Sequence, residues 1–186
     1  LALGTVTALA DCSAVKTETS VALVDGLYYD SLADAVAAIE TEGTVELVAD
    51  ATLGDRIIIE SGETVILDLN SYSITPSESF RFGRYMLFTN RGSLTIRGQG
   101  SIEALGELYP NYCIENEGGQ LNIESGTLTA NWSAVRNMKS GTATISGGTL
   151  SNTETASNNQ DCAVYAGTGT TTIVSGNAVL TGVNAA

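Results

Sequence analysis

Several aromatic and basic side chains fall in stretches rich in turn residues. Phe80, Arg81, Phe82 and Arg84 lie in Pro76–Arg84, Tyr109 and Tyr112 flank Pro110, and Trp132 follows Ala130-Asn131. Aromatic faces stack on sugar rings, and polar groups beside them bond to hydroxyls. Phe80, Arg81, Arg84, Tyr109, Tyr112 and Trp132 are therefore candidate contacts to a host or microbial glycan. The competing use of the same side chains is to pack their own loops onto the wall of the domain. Carboxylates offer a second chemistry, since a polysaccharide hydrolase needs two of them across a cleft. Glu103 and Glu107 are close in sequence, as are Glu115 and Glu117, and Asp68 sits between Leu67 and Leu69. None has an evident partner elsewhere, so no catalytic residue is assigned. The chain has no His, which removes the commonest general acid–base group and metal ligand. No Asp-rich calcium loop of fixed spacing is present either. Neither a metal nor a cofactor is expected.

The elements that must position these residues are written in a repeated phrase, Gly-x-apolar-x-Ile followed by Leu or Ile. It reads Gly92-Ser-Leu94-Thr-Ile96…Ile102, Gly119-Gln-Leu121-Asn-Ile123…Leu128, Gly141-Thr-Ala143-Thr-Ile145…Leu150 and Gly169-Thr-Thr171-Thr-Ile173…Leu180. A looser copy runs from Gly62 through Leu67 and Leu69 to Ile74. Anchored on Leu69, Ile96, Ile123, Ile145 and Ile173, the spacings are 27, 27, 22 and 28. A period of this size with strand alternation inside each copy predicts a solenoid. Residues two apart share a strand face, so Leu94 and Ile96 point inward. Asp68, Thr95, Asn122, Thr144 and Thr172 point outward, and Thr142/Thr144 and Thr170/Thr172 stack on two turns. After the Ile a Gly/Ser bend leads to a second strand. A third apolar patch precedes the next Gly: Met86-Leu-Phe88, Cys113-Ile114, Ala134-Val135, Ala163-Val164. Three short strands per turn describe an all-β parallel β-helix of about six rungs. Insertions collect after the second strand and gather the candidate glycan contacts at one corner.

Upstream, Val21–Val24 and Leu27–Tyr29 around Asp25-Gly26 predict a hairpin. Asp30 or Ser31 then caps a helix reaching about Glu40, with Asp34 placed as in a capping box. Leu32, Val36 and Ile39 form its apolar face, which covers the open end of the first rung. The organisation is an apolar segment 1–20, an N-terminal cap 21–43 and a β-helix 44–186. The stretch Leu27–Ile39, then Thr44–Leu47, Ile57–Gly62, Val65–Asn70 and Ser73–Thr75, resembles the start of many bacterial surface β-helix domains of the pectin-lyase-like right-handed β-helix superfamily. The resemblance implies a right-handed coil with a capping helix and a place outside the cell or on its surface. Such folds host lyases, hydrolases, adhesins and inert stalks, so the resemblance does not select an activity.

Length and composition narrow the field. At 186 residues with 43% hydrophobic content, one domain with a substantial core is expected. The net charge of −13, with only Lys16 and Lys139 as lysines, argues against nucleic acid as a partner. No segment is long enough for a transmembrane helix. Cys113 and Cys162 fall two rungs apart, ~9–10 Å at the spacing of a sheet, too far for a disulfide. They read as buried thiols, with Cys12 free to reach one of them or another subunit. Residues 1–20 read as the tail of a signal peptide, a weak lipoprotein site at Cys12, or a strand pairing with this domain or a neighbouring copy. Asn131-Trp-Ser133 matches a glycosylation sequon. Past Leu180 no cap is evident, and solenoids need terminal caps. The expected function is a non-enzymatic extracellular structural or adhesive module, a stalk segment or fibre subunit. Its partners are other copies of itself or flanking domains, joined by strand addition or end-to-end stacking. A carbohydrate-binding module is the alternative, and a polysaccharide lyase or hydrolase the third reading.

Overall fold

The computed structural model describes residues 12–80, 85–106, 111–154 and 162–182. Short β1 (Cys12–Ser13) precedes the hairpin of β2 (Ala22–Val24) and β3 (Leu27–Tyr29). Asp25 and Gly26 both take positive φ, 48° and 82°, as a tight two-residue hairpin turn requires. Helix α1 (Leu32–Ala37) starts at Ser31, whose Oγ accepts from the Asp34 amide at 3.3 Å. The helix is shorter than the sequence predicts, and Ile39 is buried just beyond it, beside Leu32, Ala35 and Val36.

The solenoid follows turn by turn. The first turn is β4 (Glu42–Leu47), β5 (Ala51–Leu53) and β6 (Ile57–Ile59). The second is β7 (Thr64–Asp68), β8 (Ser73–Pro76) and β9 (Tyr85–Asn90). The third is β10 (Ser93–Arg97), β11 (Ser101–Ala104) and β12 (Asn111–Glu117). The fourth is β13 (Gln120–Ile123), β14 (Thr127–Ala130) and β15 (Ser133–Met138). The fifth is β16 (Thr142–Ile145), β17 (Thr149–Asn152) and β18 (Val164–Ala166). A sixth holds only β19 (Thr171–Val174) and β20 (Val179–Thr181) among the described residues. The fold is thus a β-solenoid of about five turns rather than six.

Like strands stack in parallel into three sheets. Sheet A runs β1-β3-β2-β4-β7-β10-β13-β16-β19, with β1, β2 and β3 joined antiparallel at its start. Sheet B runs β5 to β20 through the second strands, and sheet C runs β6 to β18 through the third. Val45, Leu67, Ile96, Ile123 and Ile145 form one inward column on sheet A, and Ile74, Ile102, Leu128 and Leu150 one on sheet B. Each is essentially inaccessible to solvent, and each such side chain stabilises the fold by roughly 1.5–3 kcal/mol relative to exposure.

Two registers differ from the sequence expectation. Leu67, not Leu69, pairs with Ile96, and Val174, not Ile173, pairs with Ile145. Leu69 instead fills the corner after β7, buried, its N–H donating to the Arg97 carbonyl at 2.8 Å. Before β19, Thr170 closes a tight turn onto the Gly167 carbonyl and adds one residue to the approach. A one-residue shift exchanges the faces of a strand. Thr172 therefore joins the inward Ala143 column, Ile173 replaces Thr172 in the outward column, and Thr142 stacks on Thr171 rather than Thr170.

Sheets A and B alternate buried and part-exposed residues, as one-sided sheets do. Sheet C does not. Every residue of β12 except Glu117 is buried, and β9 is buried except at Met86. In the last described turn Ile173, Val174, Val179 and Leu180 are 40–49% exposed.

Candidate functional site

Polar chemistry concentrates on sheet C and on the corner where it turns into sheet A. Cross-strand register places Thr89, Glu115, Arg136 and Tyr165 in one column across β9, β12, β15 and β18. Arg136 donates to Glu115 Oε1 at 2.5 Å, with side chains only 16% and 8% exposed. Its guanidinium carbon lies 5.4 Å from the Tyr112 ring centre and 5.9 Å from that of Tyr165. Two electron-rich rings and a carboxylate therefore hold one buried cation, compensating the water it gave up. Tyr112 is 1% exposed, whereas Tyr165 is half-buried.

At the next corner three asparagines stack. Asn90, Asn116 and Asn137 are fully buried and in register. Asn90 Nδ2 donates to Asn116 Oδ1 at 2.8 Å, and Asn116 Nδ2 to Asn137 Oδ1 at 2.9 Å. Each amide also donates across the corner to a backbone carbonyl of sheet A: Asn90 to Gln120, Asn116 to Thr142, Asn137 to Thr171, and Asn116 reaches the Gly119 carbonyl as well. Asn137 adds a bond to Thr172 Oγ1 at 3.1 Å, which explains a hydroxyl in the inward column. The stack begins where β6 offers Ile59 opposite Asn90, leaving Asn90 Oδ1 buried without a donor among the described residues.

The ladder also explains two of the glycines of the repeated phrase, Gly119 and Gly141. A Cβ on Gly119 would come within 2.6 Å of Asn90 Nδ2, and one on Gly141 within 2.5 Å of Asn116 Nδ2. Neither glycine has positive φ. Space rather than backbone conformation demands Gly there.

Beyond the asparagines, charges alternate along the axis: Glu60, Arg91, Glu117, Lys139. Arg91 bridges Glu60 and Glu117 at 3.3 Å each, and Lys139 meets Glu117 at 2.9 Å. The Lys139 ammonium, and after it Arg91, hold the Glu117 carboxyl below its ordinary range, while Glu117 and Glu60 raise Arg91. Asp68 pairs with Arg97 at 2.8 Å. Glu115, Glu117 and Asp68 thus have partners on neighbouring turns, which the sequence did not reveal.

Phe80 is half-buried against the core, its ring 5.1 Å from that of Tyr85. Tyr112 belongs to the Arg136 clamp, and Trp132 is half-buried in the bend before β15. Arg81, Phe82, Arg84 and Tyr109 lie outside the described residues. Arg136, Tyr165 and the asparagines were missed. Their signal is an apolar-x-Asn triplet recurring as Phe88-Thr-Asn90, Ile114-Glu-Asn116 and Val135-Arg-Asn137.

Cys113 is a buried free thiol, whereas Cys162 is half-buried rather than buried as the sequence predicts. Burial pushes the Cys113 thiol far up, and its Sγ lies 3.3 Å from the Ile102 and Thr129 carbonyls. It is a protonated packing group, not a nucleophile. The Cys12 side chain lies outside the described set. Among the described residues no cluster of three metal-ligating side chains occurs, and no helix is long and apolar enough to cross a membrane. The chain matches no family model, and no curated protein or solved structure matches it.

Proposed function

We propose that this β-solenoid is a rigid, non-enzymatic structural or adhesive module of an extracellular surface, linked end to end. The observation that carries the reading is the last turn. Residues 162–182 contain no Asp, Glu, Lys or Arg in a chain of net charge −13. Ile173, Val174, Val179 and Leu180 stand exposed there, beside strand edges that no described residue pairs. Apolar strand edges of this kind invite pairing with further strands. The walls support the same reading. Asn90, Asn116 and Asn137 inside, and the Glu60–Arg91–Glu117–Lys139 chain outside, tie each turn to the next along the axis. The resemblance of Leu27–Thr75 to bacterial surface β-helix domains of the pectin-lyase-like superfamily supports this use. The test is sedimentation of the intact chain over a range of concentrations. Growth into elongated oligomers, lost in Val179→Glu/Leu180→Glu with an unchanged circular dichroism spectrum, is expected. A monomer at every concentration sinks the end-linked version.

A carbohydrate-binding reading has one specific support: Trp132, in the bend before β15, and Tyr165, against Arg136, are both only half-buried on the sheet C side. Glycan-array binding that survives Trp132→Ala would count against it.

A further inference from the structure

Sheet C begins at β6, which pairs with β9 and with no other described strand. Ile59 O accepts from the Arg91 amide at 2.8 Å, on the β9 side. In a parallel ladder alternate residues bond to opposite sides, so Ile58 turns its N–H and C=O away from β9. Beside β6 lies a cleft of about 350 Å³, within the size range of small-ligand sites. Ala33, Val36 and Ala37 of α1 line it together with Ile57 and Ile58 of β6. Arg56 and Glu63 line it too, one just before β6 and the other after the turn that follows the strand. Neither meets an opposite charge among the described residues. Arg91, Arg97 and Arg136 each hold a carboxylate, whereas the Arg56 guanidinium has the Met86 sulfur at 3.5 Å. With 21 acidic residues against 8 basic ones, a guanidinium without a carboxylate stands out in this chain. Glu63 Oε2 accepts from the Glu60 amide at 2.7 Å, which fixes that carboxylate at the far end of the strand.

We propose that this cleft binds a short peptide with apolar side chains and both termini free. The peptide lies antiparallel to β6, its carboxylate on Arg56 and its ammonium at Glu63. Charge selects the class. A cation and an anion held apart at the two ends of one strand match a ligand carrying the opposite pair in the opposite order. An anion alone would leave Glu63 unmatched, and a cation alone would leave Arg56 so. The guanidinium fork suits a terminal carboxylate, which it holds through two parallel bonds. Length sets the size. β6 has three residues, ~10 Å at the rise of a strand, and an extended tripeptide spans the same distance. The backbone fits as well. In an antiparallel pair one residue exchanges both main-chain bonds with its partner, and Ile58 offers both groups. Ala33 and Ala37 are exposed, and covering them with apolar side chains adds to affinity. The site does not depend on assembly at the last turn, and it stands if the chain proves monomeric.

The test is titration of the intact chain with the peptide Ala-Val-Ala, followed by amide NMR. The same peptide amidated at its C-terminus or acetylated at its N-terminus is run beside it. The Ile58, Ala33 and Ala37 amides are expected to shift with the free peptide, and Ile58 to gain protection from hydrogen exchange. Either block should weaken binding roughly tenfold or more, since each removes one charge-assisted contact. Arg56→Gln should weaken the free peptide by the same factor and leave the amidated one unaffected. Glu63→Gln should do the same with respect to the acetylated one. Arg56 is exposed, so its replacement leaves the core intact, and the blocked peptides carry the test without any substitution. Equal affinity for the free and amidated peptides overturns the proposal. So does acetate that binds as tightly as the peptide, which would mark Arg56 as a simple anion site. Shifts confined to β19 and β20, or none at millimolar peptide, overturn it too.

Discussion

Asn90 and Asn116 lie one turn apart, and the side-chain amide of the first donates to the side-chain oxygen of the second at 2.8 Å with both fully buried. The same Asn90 amide reaches the Gln120 carbonyl on sheet A. One group thus closes a corner and joins two turns, satisfying buried carbonyls that would otherwise be stranded. Asn116 carries most of this. It accepts from Asn90 and donates to Asn137 and Gly119. Asn116→Ala should therefore destabilise the fold by about 3 kcal/mol, since each orphaned buried polar group costs ~1–3 kcal/mol. Urea unfolding checks this. A loss below ~1 kcal/mol would mean that water or neighbours replace the ladder without penalty.

The glycines flanking the ladder should respond differently from those in open space. A Cβ at Gly141 meets Asn116 Nδ2 at 2.5 Å and Asn137 Oδ1 at 2.6 Å, both on buried, hydrogen-bonded amides that have no room to withdraw. Gly54 has nothing within 4 Å and no positive φ. Gly141→Ala is expected to cost ~2–3 kcal/mol, the range of overpacking. Gly54→Ala should be neutral or stabilising by about 0.4–1 kcal/mol. Melting temperatures of the two variants decide it, and equal responses would show that space is not the reason for Gly141.

The clamp on sheet C predicts a non-additive pair. Glu115→Leu alone leaves the Arg136 cation buried between Tyr112 and Tyr165, and should cost about 3–5 kcal/mol. Glu115→Leu with Arg136→Met removes both charges and keeps the volume, so the double variant should recover most of that loss. A double-mutant cycle by denaturant unfolding measures the coupling. Additive losses would mean the two side chains act independently.

Much of the fold is legible in the chain because its determinants are local. The Asp25-Gly26 turn, the Ser31 cap, the inward Leu94/Ile96 and Leu121/Ile123 pairs and the separated Cys113 and Cys162 all follow from residues close in sequence. Registers at Leu67 and Val174 were not legible, because corner residues such as Leu69 and Thr170 change the count without breaking the alternation. The ladder and the clamp were hidden for another reason. An Asn after an apolar pair reads as the polar edge of a strand, and only stacking brings Asn90, Asn116 and Asn137 together and puts Arg136 over Glu115. Of the candidate glycan contacts, Tyr112 illustrates the difficulty: composition marks it as an aromatic near a loop, while packing gives its ring to a cation.

Two carboxyls make stability depend on pH in a defined direction. Ser73 donates both its backbone N–H, at 2.7 Å, and its hydroxyl, at 2.9 Å, to Asp50, the backbone bond doing most to lower that carboxyl. Glu117 is lowered by Lys139 and Arg91. Both therefore titrate at lower pH folded than unfolded, so at acid pH the unfolded chain binds protons more readily. Their stabilisation is complete above the ordinary carboxylate range and is lost as pH falls through the lowered folded values. Asp50→Asn and Glu117→Gln should each flatten the decline in urea stability between about pH 5 and pH 2, with little further change above that window. Added salt should weaken the Glu117 contribution more than that of Asp50. The former rests on exposed ion pairs, and the latter on short hydrogen bonds from a neighbouring strand. A decline as steep in the double variant as in the parent would assign the acid sensitivity to other groups.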